Sequence, residues 1–216
     1  MTVMATPETT TLRRTTAYAG LAAFALLLAG QGLIQVGGAE PPFDAPMART
    51  LDFFTTRDET LFAIGAYLSV LSVVAMLWFF GGVYALLKED WRAMVALVSG
   101  VVYVAGTISV DWELAAFRAA EGLDPEISRL VFDMGNLGFA SAWVALGSFA
   151  LATGWVLIGS PRWPDWLGWW AVAAGVCLVA ARAVWTNQVW LVGYFLFWVW
   201  AVVLCVRLLR RPYSVG

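Results

Sequence analysis

The stretch TAYAGLAAFALLLAGQGLIQV, residues 16–36, decides the fold. It carries no charged side chain and is as long as the roughly 20 apolar residues that a membrane-crossing helix needs. Arg13-Arg14 before it and Gly37-Gly38-Ala39 after it imitate a secretory signal. The apolar run exceeds a typical signal core, so the stretch is expected to be a retained helix. Five more stretches of this kind follow, at about 61–87, 92–118, 128–158, 166–184 and 188–209. All eight prolines (Pro7, Pro41, Pro42, Pro46, Pro125, Pro161, Pro164 and Pro212) fall between or outside them. The spans are therefore expected to be continuous, which weighs against transporters built on interrupted helices. With 61% hydrophobic and 13% charged residues among 216, the chain departs from a soluble domain, which is nearer half apolar and a quarter charged. The expectation is an all-α, polytopic membrane bundle of six transmembrane helices forming one membrane domain over residues 1–216.

Basic residues near the span ends set the orientation. With the N-terminus in the cytoplasm, Arg13, Arg14, Lys88, Arg92, Arg162, Arg207, Arg210 and Arg211 all lie inside. The outer connections keep Arg49 and Arg57, with Arg118 and Arg129 at span ends. They also carry Glu40, Asp44, Asp52, Asp58, Glu59, Glu121, Asp124 and Glu126. Both termini are thus expected to be cytoplasmic and the outer surface acidic. Trp91, Trp163, Trp166, Trp169 and Trp170 mark the inner boundary; Trp185 and Trp190 mark the outer one. The longest connection, about 37–60, opens with Glu40-Pro41-Pro42 and then places Met47, Leu51 and Phe54 at near-helical spacing. That pattern suggests a short amphipathic helix, either lying on the outer interface or capping a cavity between the spans.

Several chemistries are excluded by composition. The chain has no histidine, which removes His-ligated metals and haem, Ser-His-Asp triads and histidine proton relays. Its one lysine, Lys88, sits in a polar break, so no buried Schiff base is available. Cys177 and Cys205 lie in separate spans without CxxC spacing and are expected to be small buried hydrophobes. No metal site or cofactor is expected. A net charge of −2 gives no nucleic-acid footprint.

Ionisable and polar groups at membrane depth are costly and are functional candidates by default. Here they gather at one level. Asp111 and Glu113 come late in the third span, Asp133 and Asn136 early in the fourth, Arg182 late in the fifth. Gln31 and Gln35 close the first span, and Asn187 and Gln188 open the sixth. Antiparallel spans thereby deliver polar groups to one height, which points to an outward-facing polar cup, open or lidded. At about 100° per residue, Tyr103, Thr107, Asp111 and Arg118 share a stripe, and Glu113 lies about 200° from Asp111. The angles select Asp111 as the cavity carboxylate. Asp133, Asn136, Ala140 and Trp143 share a face of the fourth span; Asn187, Trp190, Tyr194 and Trp198 form an aromatic stripe below a polar mouth in the sixth. A purely structural account also fits. Arg182 would then neutralise Asp111 or Asp133, or Arg129 would pair with Asp133 four residues on. The aromatic stripe would be helix packing.

The layout resembles a bacterial family of six-helix inner-membrane proteins known only as a domain of unknown function. The most recognisable part is the turn Gly159-Ser160-Pro161-Arg162-Trp163-Pro164 running into Trp166-Leu167-Gly168-Trp169 and a Gly/Ala-rich fifth span. The resemblance implies a multi-pass protein of the bacterial cytoplasmic membrane and no catalytic residues. Trp112-Glu113 resembles the Trp-Glu pair that carries one of the acidic residues of small membrane-embedded terpene cyclases, a likeness that favours Glu113 as the acid where the angles favour Asp111.

Three functional readings follow. In the first, Asp111, Asp133 or Glu113 stays protonated among apolar walls and protonates an alkene or opens an epoxide of a lipophilic, isoprenoid-like substrate. Trp143, Tyr194 and Trp198 would stabilise the resulting cation, giving a terpene-cyclase-like isomerase or lyase. Tyr103, Thr107, Asn136, Arg182, Asn187 and Trp190 would complete the pocket. In the second, the cup captures or carries a polar or cationic small molecule without chemistry. In the third, the chain is an accessory subunit of a larger membrane complex. Membrane lipids are the expected surroundings throughout, and no oligomeric state is indicated.

Overall fold

A computed structural model describes residues 7–108, 122 and 124–210. Seven α-helices run through them: α1 (Pro7–Gly37), α2 (Met47–Thr56), α3 (Glu59–Leu87), α4 (Trp91–Ile108), α5 (Pro125–Leu157), α6 (Asp165–Ala181) and α7 (Trp190–Arg210). A 3₁₀ turn, Arg182–Val184, extends α6. No strand occurs among the described residues. All except α2 are long and apolar enough to cross a membrane. This is an all-helical, six-span membrane bundle.

The helix boundaries have local causes. Pro125 occupies the first turn of α5, where its missing N–H costs nothing, and the Asp124 carboxylate accepts from the N–H groups of Glu126 and Ile127. The helix therefore begins before the apolar run at 128 does. Asp58 caps α3 in the same way through the Leu61 N–H, at 2.9 Å. The third span is described only to Ile108, so the expectation that it reaches 118 falls outside the described residues.

The six long helices close into a ring. Each packs on the next in chain order, and α7 returns to α1. At two of these interfaces glycines face each other reciprocally, with no room for a Cβ on either side. A Cβ at Gly154 of α5 would stand 2.6 Å from the Gly168 carbonyl oxygen of α6, and one at Gly147 would stand 2.8 Å from that of Gly175. The reverse approaches, Gly168 to Gly154 and Gly175 to Gly147, are 2.7 Å. Gly30 of α1 and Gly65 of α3 make a third reciprocal pair at 2.7 Å. Without a hydrophobic drive between helices in lipid, such backbone approach and interhelical hydrogen bonds hold spans together. Ser72 Oγ of α3 accordingly donates to the Ala23 carbonyl of α1 at 2.7 Å, and Trp200 Nε1 of α7 donates to the Leu167 carbonyl of α6 at 3.0 Å.

The interior is aromatic. Phe79 and Phe80 of α3, Phe149 of α5 and Phe197 and Trp200 of α7 meet at its centre, the closest rings being Phe80 and Phe149 at 4.4 Å. Cys205 is buried there and Cys177 is half-buried, both as free thiols. At one end of the ring Arg13 Nη2 of α1 donates to the Leu208 carbonyl of α7, so the start of the first span meets the end of the last. The opposite end carries α2.

Candidate functional site

The α2 end is closed by the segment between α1 and α3. Residues 47–56, where Met47, Leu51 and Phe54 suggest an amphipathic helix, form α2, which packs on α5. Phe53 and Phe54 are buried against Phe62 of α3 and Phe132 of α5, with centroids 6.1 and 6.3 Å apart. Arg57, at the corner into α3, is also buried. Its guanidinium lies over the Phe62 ring at 4.6 Å, and Nη1 donates to the Phe54 carbonyl. Burial pushes its pKa below the ordinary arginine value, an effect that nearby Glu59 opposes.

Upstream of α2 the chain turns inward. After Pro41 a turn is closed by the Ala45 N–H donating to the Pro42 carbonyl at 2.9 Å, and Phe43 within that turn enters a box of rings. Phe43 lies parallel to Trp190 of α7 (5.7 Å, 7° between planes) and stacks on Trp143 of α5 and Trp185, each at 6.2 Å. Trp143 stacks on Trp190 at 5.1 Å. Phe139 meets both edge-on, at 5.6 and 6.0 Å, and meets Tyr194 at 6.0 Å. Trp190, Tyr194 and Trp198 continue down α7 as an edge-to-face ladder, and Phe24 of α1 closes on Trp198 at 5.4 Å. Tyr194 and Tyr103 of α4 share a hydrogen bond between hydroxyls at 3.0 Å. The centre of this end is thus filled by rings, one of which is supplied by the covering segment. Trp190, expected at a membrane boundary, is part of that box, because Phe43 folds over it.

The polar candidates divide. Asp111 and Glu113 lie outside the described residues. Asp133 accepts from Arg129 Nε at 2.8 Å, and Arg129 also donates through Nη1 to the Ala45 carbonyl of the covering segment. Arg182 makes no pair with Asp133; its Nε donates to Ser141 Oγ at 3.3 Å, because the 3₁₀ turn places it beside the middle of α5. Asn187 caps the approach to α7, its Oδ1 accepting from the Val189 N–H at 3.1 Å. Thr107 Oγ1 donates back to the Tyr103 carbonyl at 2.8 Å and is spent within its own helix. Asn136 and Trp143 are both buried on one stripe of α5, and neither Asn136 Nδ2 nor Trp143 Nε1 has a hydrogen-bond partner among the described residues. Two N–H donors are thereby buried on this stripe without a partner among the described residues. No group of three or more His, Cys, Asp or Glu placed to hold a metal ion occurs among the described residues.

Two residues gain weight that the sequence did not give them as site residues, Phe43 and Glu40. The only local sign is the Pro41-Pro42 pair, which stiffens the chain between them. Glu40 is half-buried at the root of the covering segment, and Gln35 Nε2 donates to its Oε2 at 3.4 Å. Burial pushes its pKa up to about 7. A carboxyl whose folded pKa exceeds its unfolded value stabilises the closed segment most below the unfolded value, and that contribution is lost as pH rises through about 7. Hydrogen exchange at residues 38–46 is therefore expected to speed up between pH 5 and pH 8 beyond the intrinsic chemical trend, and Glu40→Gln is expected to remove the excess. An unchanged excess in Glu40→Gln would assign it to another group.

Comparison with family models, with curated proteins and with solved structures yields no match for this chain.

Proposed function

We propose that this integral membrane protein takes a lipophilic, isoprenoid-like molecule between the rings at its α2 end and converts it by acid-catalysed cyclisation or isomerisation. The observation that carries the reading is Phe43, an apolar ring on a connecting segment seated among Trp143, Trp185 and Trp190. It stands where a flat or chain-like apolar guest would be sandwiched. Stacked indoles suit such a guest, and their π-faces stabilise a carbocation formed on it. The N–H groups of Asn136 and Trp143 would receive an oxygen of the guest. Because Asp133 is held by Arg129, the proton would come from Asp111 or Glu113, with Glu40 as a carboxyl poised near neutrality at the segment's root. The charge distribution supports an orientation with both termini cytoplasmic and the α2 end outside, in a bacterial inner membrane.

A second reading, capture without chemistry, is favoured by the Arg129–Asp133 pair, which commits that carboxylate to an ion pair within its own helix. Turnover separates the two. Purified protein in lipid discs is incubated with linear isoprenoid alkenes and epoxides, and products are followed by mass. The enzymatic reading expects cyclised or isomerised product, lost more than about a hundredfold in Asp111→Asn or Glu113→Gln while substrate binding persists. Binding without product would leave capture.

A further inference from the structure

At the end opposite α2, the α3–α4 and α5–α6 turns enclose a cleft of about 280 Å³. Its lining includes the apolar side chains of Leu86, Leu87 and Val156. Its rim carries two cations and two carboxylates, contributed by Glu89, Asp90 and Arg92 from one turn and Arg162 from the other. The two pairs differ in strength. Arg92 is committed to Asp90, with Nε at 2.9 and 3.0 Å from the two carboxylate oxygens and Nη2 closing the contact. Arg162 and Glu89 stand 3.5 Å apart, with side chains 47% and 78% exposed. An exposed pair of that kind adds little and is readily opened.

The surroundings fix the depth. Trp91, between two rim residues, is exposed, Trp163 lines the cleft, and Arg92 lies 5.6 Å from the Trp155 ring. Tryptophans at a span boundary mark the level of the lipid head groups. A ligand at that depth meets one loosely held cation, one loosely held carboxylate and the apolar side chains of Leu86, Leu87 and Val156.

We propose that this cleft holds a phospholipid with a phosphoethanolamine head. Its phosphate lies on Arg162, its primary ammonium donates to Glu89, and an acyl chain runs over Leu86, Leu87 and Val156. A glycerol head keeps the phosphate charge but brings no cation to offset Glu89 and Asp90. A choline head has no N–H to give Glu89. The lipid replaces one weak ion pair by two charge-assisted contacts and ties the two turns together.

The test is lipid retention. The protein is equilibrated in discs containing equal phosphatidylethanolamine, phosphatidylglycerol and phosphatidylcholine, and bound lipid is read by native mass spectrometry. Phosphatidylethanolamine is expected to be retained about tenfold over either other lipid, the worth of one charge-assisted contact. Glu89→Gln is expected to abolish its advantage over phosphatidylcholine, and Arg162→Gln to weaken retention of both. Both side chains are exposed, and the ratio in the unaltered protein tests the proposal without any variant. Soluble glycerophosphoethanolamine is expected to displace the lipid at least a hundredfold less effectively than phosphatidylethanolamine itself; equal potency would assign the cleft to a soluble metabolite. Preference for phosphatidylglycerol, or an ethanolamine-to-choline ratio that Glu89→Gln leaves unchanged, would overturn the assignment.

Discussion

Gly154→Ala is expected to destabilise the bundle far more than Gly138→Ala in the same helix. The added carbon would stand 2.6 Å from the Gly168 carbonyl oxygen, 2.9 Å from a Val172 methyl and 3.0 Å from Ala171 Cβ. The nearest of these is backbone and cannot rotate away, so α5 and α6 must separate. Overpacking of this kind costs about 3 kcal/mol, and separation also loosens the neighbouring Gly147–Gly175 contact. The thermal midpoint in detergent is expected to fall by several degrees, with Gly168→Ala behaving alike because the same contact is met from the other side. Gly138→Ala supplies the control within the same helix. Nothing lies within 4 Å of its added carbon, so the midpoint should stay or rise slightly, as alanine favours helix by up to about 1 kcal/mol. Equal losses at 154 and 138 would show that helix propensity, and not interhelical approach, governs this pair.

Trp143→Ala carries the largest expected effect at the α2 end. Trp143 is 0% exposed and touches Phe43, Phe139 and Trp190, so its removal deletes one wall of the box from three directions. Truncating a buried tryptophan costs about 3–5 kcal/mol. Here part of that loss falls on the covering segment, which loses a ring against which Phe43 stacks. Two readouts are expected to move together: the thermal midpoint drops, and protease or exchange protection of residues 38–46 falls with it. Trp143→Phe keeps a ring at the contact and is expected to restore most of the protection. A drop in midpoint with residues 38–46 still protected would mean that Phe43 does not depend on this wall.

The spans were legible because lipid and protein interior impose the same demand on a long helix. That equivalence also limits the reading. Trp143 and Trp155 lie on one helix in similarly apolar sequence, yet Trp143 is 0% and Trp155 65% exposed. Hydropathy scores both as removed from water and does not say whether a ring or a lipid chain covers them. Angular spacing recovers part of the difference: it puts Asn136, Ala140 and Trp143 on one face, and all three are buried. The Arg129–Asp133 pair was legible for the same reason, four residues being one helical turn. Phe43 was not. Its place depends on how a segment of loop folds over α5 and α7, which no local period encodes. The Tyr103–Tyr194 bond likewise joins residues far apart in sequence whose meeting depends on the ring closing. Asp111 and Glu113, separated by the angular argument, lie outside the described residues, so the choice between them rests with their variants.

The central claim is that an apolar guest enters the box that Phe43 occupies. Photo-crosslinking tests it most directly: a tritiated isoprenoid carrying a diazirine is equilibrated with the protein in lipid discs, irradiated, and mapped by peptide mass. Labelling is expected to concentrate on Phe139, Trp143, Trp190 and Tyr194, to be competed by unlabelled isoprenoid, and to increase in Phe43→Ala, where the resident ring no longer competes. Labelling spread instead over exposed rings such as Tyr67, Trp78 and Trp155, uncompeted and indifferent to Phe43→Ala, would contradict it.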